Sequence, residues 1–225
     1  LIIEDFDPAR GGAETYAAAF AAHLAAAGHR VTVVCDRGGD LPGVPGTTVR
    51  CLGLTRRPKW RWIGRFAKLS VTAARAAKPG EAKVDVIWAM ARVLGADVYQ
   101  PHGGVHAATL EASLASSRPG PIGGLVRGLR QVARWASPKQ WAFLALETAI
   151  YESRSRPVIV ALSRCFAELM QRRYRVPAEA VRVVPNSVDT ERFRPASGEA
   201  RASARAAARQ RLLGMPMADP VMPDR

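Results

Sequence analysis

Three stretches of this 225-residue chain carry residue types that could do chemistry. The first is Asp5-Phe6-Asp7-Pro8-Ala9-Arg10-Gly11-Gly12-Ala13-Glu14, between an apolar run and an alanine-rich helical pattern. Gly11 and Gly12 remove side chains where the unpaired N–H groups of a helix start face outward, which makes a place for a phosphate or a sugar oxygen. The same pair suits a tight turn with positive φ, and the residues alone leave both readings standing. The second stretch, Asp97-Val98-Tyr99-Gln100-Pro101-His102-Gly103-Gly104-Val105-His106, puts an imidazole just past a strand end. His102 could hydrogen-bond a substrate hydroxyl or carry a proton, and it could equally hold a loop together. The third runs Val181-Arg182-Val183-Val184-Pro185-Asn186-Ser187-Val188-Asp189 and on through Phe193 to Pro195. Asn and Asp are ordinary turn residues, so in isolation this segment reads as a turn.

Other chemistries find less support. His102 and His106 are four apart, but the glycines between them argue against a helix, so no metal pair is read there. His23 and His29 receive no role. Cys35, Cys51 and Cys165 are odd in number and lack metal-ligand spacing, which implies neither a disulfide framework nor a zinc site. A reducing, cytoplasmic compartment is the default expectation. Gly11-Gly12 is followed by Ala, Glu and Thr, not by the third glycine of a dinucleotide fingerprint, and no P-loop pattern occurs.

The elements that must position these residues alternate. Leu1-Ile2-Ile3 reads as the tail of a strand, and residues 12–27 as a helix stopped by Gly28. Val31-Thr32-Val33-Val34-Cys35 is a β-branched run of the kind buried on both faces of a parallel sheet. A Gly/Pro-rich turn over 38–46 leads to a strand at 48–52, and a basic amphipathic helix covers 62–77. Short strands are predicted at 84–88 and 97–99, a loop at 118–124, and helix up to Glu152. A strand at 158–162, a helix capped by Ser163 and a strand at 181–184 complete the pattern. Strands alternating with helices predict an α/β fold, a Rossmann-like, mainly parallel sheet. Residues 1–195 form this domain, with its first strand incomplete. Residues 196–225, Ala/Arg-rich and then broken by Gly214 and prolines, read as a connector into a second domain.

The chain carries 33 Lys+Arg against 19 Asp+Glu, a formal charge of +14, and its 48% hydrophobic content excludes a disordered polymer. Between Arg50 and Lys78 there are nine basic residues and no acid, and between Arg118 and Lys139 five and none. That surplus is either a solvated face or a surface for a polyanion. Arg56-Arg57-Pro58-Lys59-Trp60-Arg61-Trp62 interleaves cations with tryptophans, a pattern suited to an anionic membrane interface or to stacking on bases. Zinc-finger spacing, an RNP-like strand and a helix-turn-helix are all missing, so nucleic acid is not the expected partner. No run of about 18 strongly apolar residues suggests a membrane span.

Taken together, Gly-Gly-Ala-Glu at 11–14, Ala-Ala-Gly-His-Arg-Val-Thr-Val-Val at 26–34 and Val-Val-Pro-Asn-Ser-Val-Asp-Thr-Glu-Arg-Phe-Arg-Pro at 183–195 resemble the amino-terminal half of a family 4 retaining glycosyltransferase. Ser187 stands where the family usually has glycine. Asp97-Val98-Tyr99 followed by Gly104-Val105-His106, and the stretch from Trp141 through Glu147, are most similar to the lipopolysaccharide core glucosyltransferase I branch. The resemblance implies one half of a GT-B architecture, two Rossmann-like domains facing across a cleft. It also implies hexosyl transfer with retention from a nucleotide-sugar donor, a UDP-sugar, to a glycan or glycolipid acceptor. No cofactor and no metal are implied. Carried over residue by residue, Gly11 and Gly12 approach the donor phosphates or the transferred sugar, His102 is the catalytic candidate beside that sugar, and Asn186 lies near the interdomain crossing.

The basic surplus fits an acceptor bearing phosphates, or peripheral contact with the inner face of an anionic membrane. Glu191 and Glu199 show the family's Glu-x7-Glu donor spacing but flank a connector, so they are not assigned that role. Little activity is expected of the 225 residues alone. Two other readings compete: a nucleotide-binding oxidoreductase, for which Asp36 is the candidate ribose ligand, and a non-enzymatic polyanion-binding module.

Overall fold

The computed structural model describes residues 1–39, 46–76, 83–115, 136–187, 190, 194 and 199–213. Most of the turn at 38–46, the loop at 118–124 and the continuation of the third motif through Val188, Asp189 and Phe193 lie outside these residues. The chain divides into two units, Leu1–Pro185 and Asn186–Arg225.

In the first unit the strands are β1 (Asp5–Phe6), β2 (Val31–Cys35), β3 (Arg37–Gly38), β4 (Thr47–Cys51), β5 (Trp88–Ala89), β6 (Val98–Tyr99), β7 (Val158–Ala161) and β8 (Val181–Val183). The helices are α1 (Gly12–Ala26), α2 (Lys59–Arg75), α3 (His106–Ala115), α4 (Pro138–Glu152) and α5 (Arg164–Tyr174). The second unit carries α6 (Glu199–Leu213).

All observed strand pairs are parallel. Residues 1–4 join the halves of the sheet. Ile2 N–H donates to Trp88 O and Ile2 O accepts from Met90 N–H, while Ile3 N–H donates to Val34 O. The order is therefore β4, β2, residues 1–4, β5, β6, β7, β8. β1 and β3 prolong the first two strands past a break. This is the doubly wound arrangement the alternating pattern predicts, with its topological switch point between residues 1–4 and β5.

Burial explains why these residues take these places. In β2, Val31, Val33 and Cys35 face one cluster with Ala17 and Ala21 of α1. Val34 faces the opposite cluster, with Trp62, Ile63 and Phe66 of α2 and Ile150 of α4. Alternate side chains thus enter two cores, one on each face. Full burial of Ile63 or Phe66 contributes about 1.5–3 kcal/mol each. At the end of α1, Gly28 takes φ 88°. Gly28 N–H donates to Ala25 O and His29 N–H to Leu24 O, a Schellman closure that a side chain at 28 would strain. Ser163 accepts from Phe166 N–H at 3.2 Å and caps α5.

Two expectations are corrected. The strand read over 84–88 shrinks to Trp88–Ala89, because Asp97 Oδ2 takes the Ile87 N–H at 2.7 Å and Val84 and Val86 are exposed. The helix read from 62 begins at Lys59, preceded by Pro58 as N-cap. The alternation of Trp and cation is also not a uniform surface. Trp60 is 43% exposed, but Trp62 is 1% exposed and donates its indole N–H to Asp36.

Candidate active site

The turn ahead of α1 is built rigidly from its own residues. Asp7 Oδ1 accepts from Ala9 N–H, and Arg10 N–H donates to Asp7 O. Thr15 Oγ1 donates to Pro8 O and Gly11 O at 2.9 and 2.8 Å. Gly11 is the N-cap at φ −179°, with no side-chain cap. That is extended backbone open to any residue, so the positive-φ turn weighed for this pair is not what the structure contains. A Cβ on Gly12 would meet nothing within 4 Å, and one on Gly11 only the mobile end of Glu14. Neither packing nor backbone conformation requires these glycines. What they leave is bare first-turn N–H groups at the carboxyl edge of the sheet.

One prediction follows directly. Gly12→Ala should leave thermal stability unchanged or raise it by up to about 1 kcal/mol, since alanine is the better helix former. The same change should weaken, about tenfold or more, binding of a ligand whose phosphate or sugar oxygens reach these N–H groups, read by titration. A destabilised variant with unchanged binding would make Gly12 a folding residue only.

Across from this turn lies His102, in the bend after β6. Its ring packs against Tyr16 of α1, centroids 4.6 Å apart and tilted 50°. Tyr16 is fixed in turn, because its Oη accepts from Gln100 Nε2 at 3.2 Å, and Gln100 Oε1 accepts from Trp88 Nε1 at 3.0 Å. Gly104 at φ 76° makes the bend possible, and Phe166 closes on it at 3.5 Å from a Cβ built there. His102 Nε2 is buried without a hydrogen-bond partner. Burial pushes the imidazole below its ordinary range, and the negative charge of Glu14 opposes that in part. The result is a neutral imidazole with one ring nitrogen unspent, held at a fixed angle beside the helix start. Such a group can accept or donate one hydrogen bond to a hydroxyl.

Sequence reasoning quoted Glu14 and Gln100 inside its motifs without giving them work, and it passed over Tyr16 and Glu4. Glu14 lies over Gly11, its Oε2 2.8 Å from a Cβ built there. A carboxylate so placed favours hydroxyl donors over a bare phosphate. Glu4, at the end of the central segment, has its carboxyl pushed up by burial, with Arg92 and Lys59 pulling the other way. The spacing of polar residues within an apolar strand end was the available signal.

Other sequence candidates fall elsewhere. Asn186 is exposed and opens the second unit. His106 is the first residue of α3, its Nε2 2.7 Å from Gln140 Oε1. His102 lies outside that helix, as the intervening glycines predicted, and no three-residue metal cluster occurs among the described residues. Asp36, the ribose candidate, is buried and already used: it accepts from Leu54 N–H, Arg56 and Trp62 Nε1, and Arg56 also grips Asp5. A dinucleotide would have to displace all of these.

Two cavities open in the first unit. One of about 410 Å³ opens beside the glycine turn, between Phe6, Asp7, Pro8 and Arg10 on one side and Arg37 and Gly38 on the other. A larger one of about 690 Å³ includes Asp97 and Pro157, which precede β6 and β7. It lies at the amino edge of the sheet, where doubly wound folds do not place substrates. The smaller cavity is the one that matters here.

A parallel sheet wound on both faces, with an uncapped glycine helix start and an imidazole at its carboxyl edge, defines a Rossmann-like ligand-binding domain. Its family is settled by the sequence over most of that domain: residues 10–192 match the model of Glycosyltransferase Family 4, and the chain belongs to that family. Among solved structures it is similar to WaaG, a glycosyltransferase involved in lipopolysaccharide biosynthesis, at 16% identity and a TM-score of 0.67. The match covers 93% of this chain and 50% of that one, so the chain spans half the length of the solved protein. At that identity the likeness speaks for fold, and it agrees with the Rossmann-like half of a GT-B enzyme expected from the motifs. No curated protein matches the sequence. No helix among the described residues is long and apolar enough to cross a membrane.

Proposed function

We propose that this glycosyltransferase moves a hexosyl group from a UDP-sugar to a glycan or glycolipid acceptor, with retention at the anomeric carbon. The observation that carries the reading is the open, uncapped start of α1 facing a neutral His102 across Glu14. Glu14 and His102 have the polarity to receive sugar hydroxyls, and Tyr16 holds the imidazole against rotation. Negative charge developing on the leaving β-phosphate falls to helix N-termini and to Lys/Arg, with no metal in the proposal. Titration of the protein with UDP-glucose, followed by NMR, should shift the amide signals of Gly11 and Gly12 and the ring signals of His102, while NADH leaves them in place. Shifts with NADH and none with UDP-glucose would overturn the reading in favour of a dinucleotide enzyme.

A second feature supports peripheral membrane contact by the same protein. Arg57, Lys59, Trp60, Arg61, Arg65 and Lys68 form an exposed basic surface on and before α2, whose apolar side is buried. Each such cation near an anionic surface contributes about 1 kcal/mol. Binding to phosphatidylglycerol vesicles should therefore weaken about 30-fold in the R61Q/R65Q variant and fade as salt rises. Equal binding to neutral vesicles would count against it, and equal affinity for generic DNA would favour the polyanion-module alternative.

A further inference from the structure

The strand register sets Cys35 of β2 directly opposite Cys51 of β4. Neighbouring strands lie about 4.8 Å apart, inside the Cα separation a disulfide tolerates. The two sulfurs approach to 3.5 Å, on the same side of the sheet. Their accessibility differs: Cys35 is buried and Cys51 is exposed. Both press on one residue of the smaller cavity. Cys51 Sγ lies 3.4 Å from Gly38 O, and Cys35 Sγ lies 3.0 Å from a Cβ built on Gly38. Gly38 pairs with Phe6, and both line that cavity. Asp36, next to Cys35, anchors Arg56 and Trp62.

We infer that Cys35 and Cys51 are a peroxide-sensitive dithiol that closes to a disulfide behind the cavity beside the glycine turn. The exposed thiol reacts first. The Cys51 thiolate attacks hydrogen peroxide, forming an S–O bond and breaking the O–O bond, to give sulfenic acid and hydroxide. Cys35 sulfur then displaces the sulfenic oxygen, which leaves as water with the Cys35 proton. Hydroxide takes the proton that Cys51 gave up. In sum two thiols lose two electrons and two protons, and one peroxide becomes two waters. Burial pushes the Cys35 thiol up, so it stays protonated and shielded from peroxide in solution, and it gives its proton to the departing oxygen as it attacks the adjacent Cys51 sulfur. Closure must shorten the 3.5 Å sulfur separation and removes the Cys51 S–H that donates to Gly38 O, so the cavity wall is tied to redox state.

The test uses the full chain carrying Cys165→Ser, which removes the other exposed thiol. Reduced protein is treated with hydrogen peroxide, denatured in N-ethylmaleimide and weighed. The number of labelled thiols should fall from two to none, with a mass loss of two hydrogens and a Cys35–Cys51 linked peptide pair. Dithiothreitol should restore both labels. In the C35S/C165S variant the same treatment should leave a Cys51 sulfenic acid that dimedone traps. Two labelled thiols after peroxide, Cys51 sulfinic acid beside a labelled Cys35, or cross-links only between chains would each overturn the inference.

Discussion

Replacing Glu147 by alanine should lower the unfolding free energy by about 3–5 kcal/mol, the cost of removing one member of a buried charged cluster. Glu147 is fully buried in α4, and its two oxygens are shared among four groups. Oε2 accepts from His106 N–H and Oε1 from Ala107 N–H, so the carboxylate caps α3 from another helix. Tyr174 Oη donates to Oε1 at 2.6 Å, and Arg92 Nε stands 3.9 Å from Oε2. Alanine would strand these donors away from water and leave the Arg92 cation without its counter-charge. Glutamine keeps the shape but turns an NH2 toward N–H donors, so E147Q should fall between alanine and wild type. Urea unfolding measures all three, and a loss below about 1 kcal/mol in E147A would show that water replaces the carboxylate. Burial and the Glu147 charge also push the Tyr174 phenol up.

If the proposed reading holds, His102→Ala, placed in a protein that also carries a donor-binding half, should reduce sugar transfer by about 100-fold or more, within the usual range for a positioned acid–base or hydrogen-bonding group. The fall should appear mainly in kcat, since the proposed role of the imidazole is one hydrogen bond to the reacting sugar. His102 is half-buried on a bend and packs on Tyr16 at the edge of the sheet, so the variant should fold. The proton linkage gives a second readout. Burial holds His102 and His106 below their ordinary range, so between the folded value and about 6.5 the unfolded chain binds more protons than the native one. Stability is then complete above that window and declines as pH falls through it. Removing His102 should flatten that decline. If transfer and acid sensitivity both stay as in wild type, His102 is a loop residue and nothing more.

Local signals in the sequence were enough for the longer elements. Val31–Cys35 is rich in β-branched residues and followed by a carboxylate, and Gly12–Ala26 is closed two residues further on by Gly28, which accepts a left-handed turn cheaply. Gly11-Gly12 and His102 each follow a parallel strand of the first unit, so the alternating pattern alone puts both turns at its carboxyl edge. What escaped depends on distant partners. Trp62 reads as an interfacial residue until Asp36 is found to receive its indole N–H. Glu147 reads as one acid on a helix until the amides of residues 106 and 107 arrive to use it. His102 reads as a loop residue until its ring is found against Tyr16, more than eighty residues earlier, with a buried nitrogen unpartnered. Spacing along a chain reports helix and strand periodicity, while side-chain partnerships across a sheet are set by the topology.

The placement of residues 1–4 between β2 and β5 has a consequence for assembly. Residues 1–4 are made before both strands they join, and one of their edges pairs with Trp88 and Met90. During synthesis the segment must wait, apolar and half-paired, until nearly ninety residues have emerged. An intermediate with that edge open exposes Ile2 and Ile3, which the finished fold buries, and slowing elongation just before the Trp88 codon should lengthen that exposure.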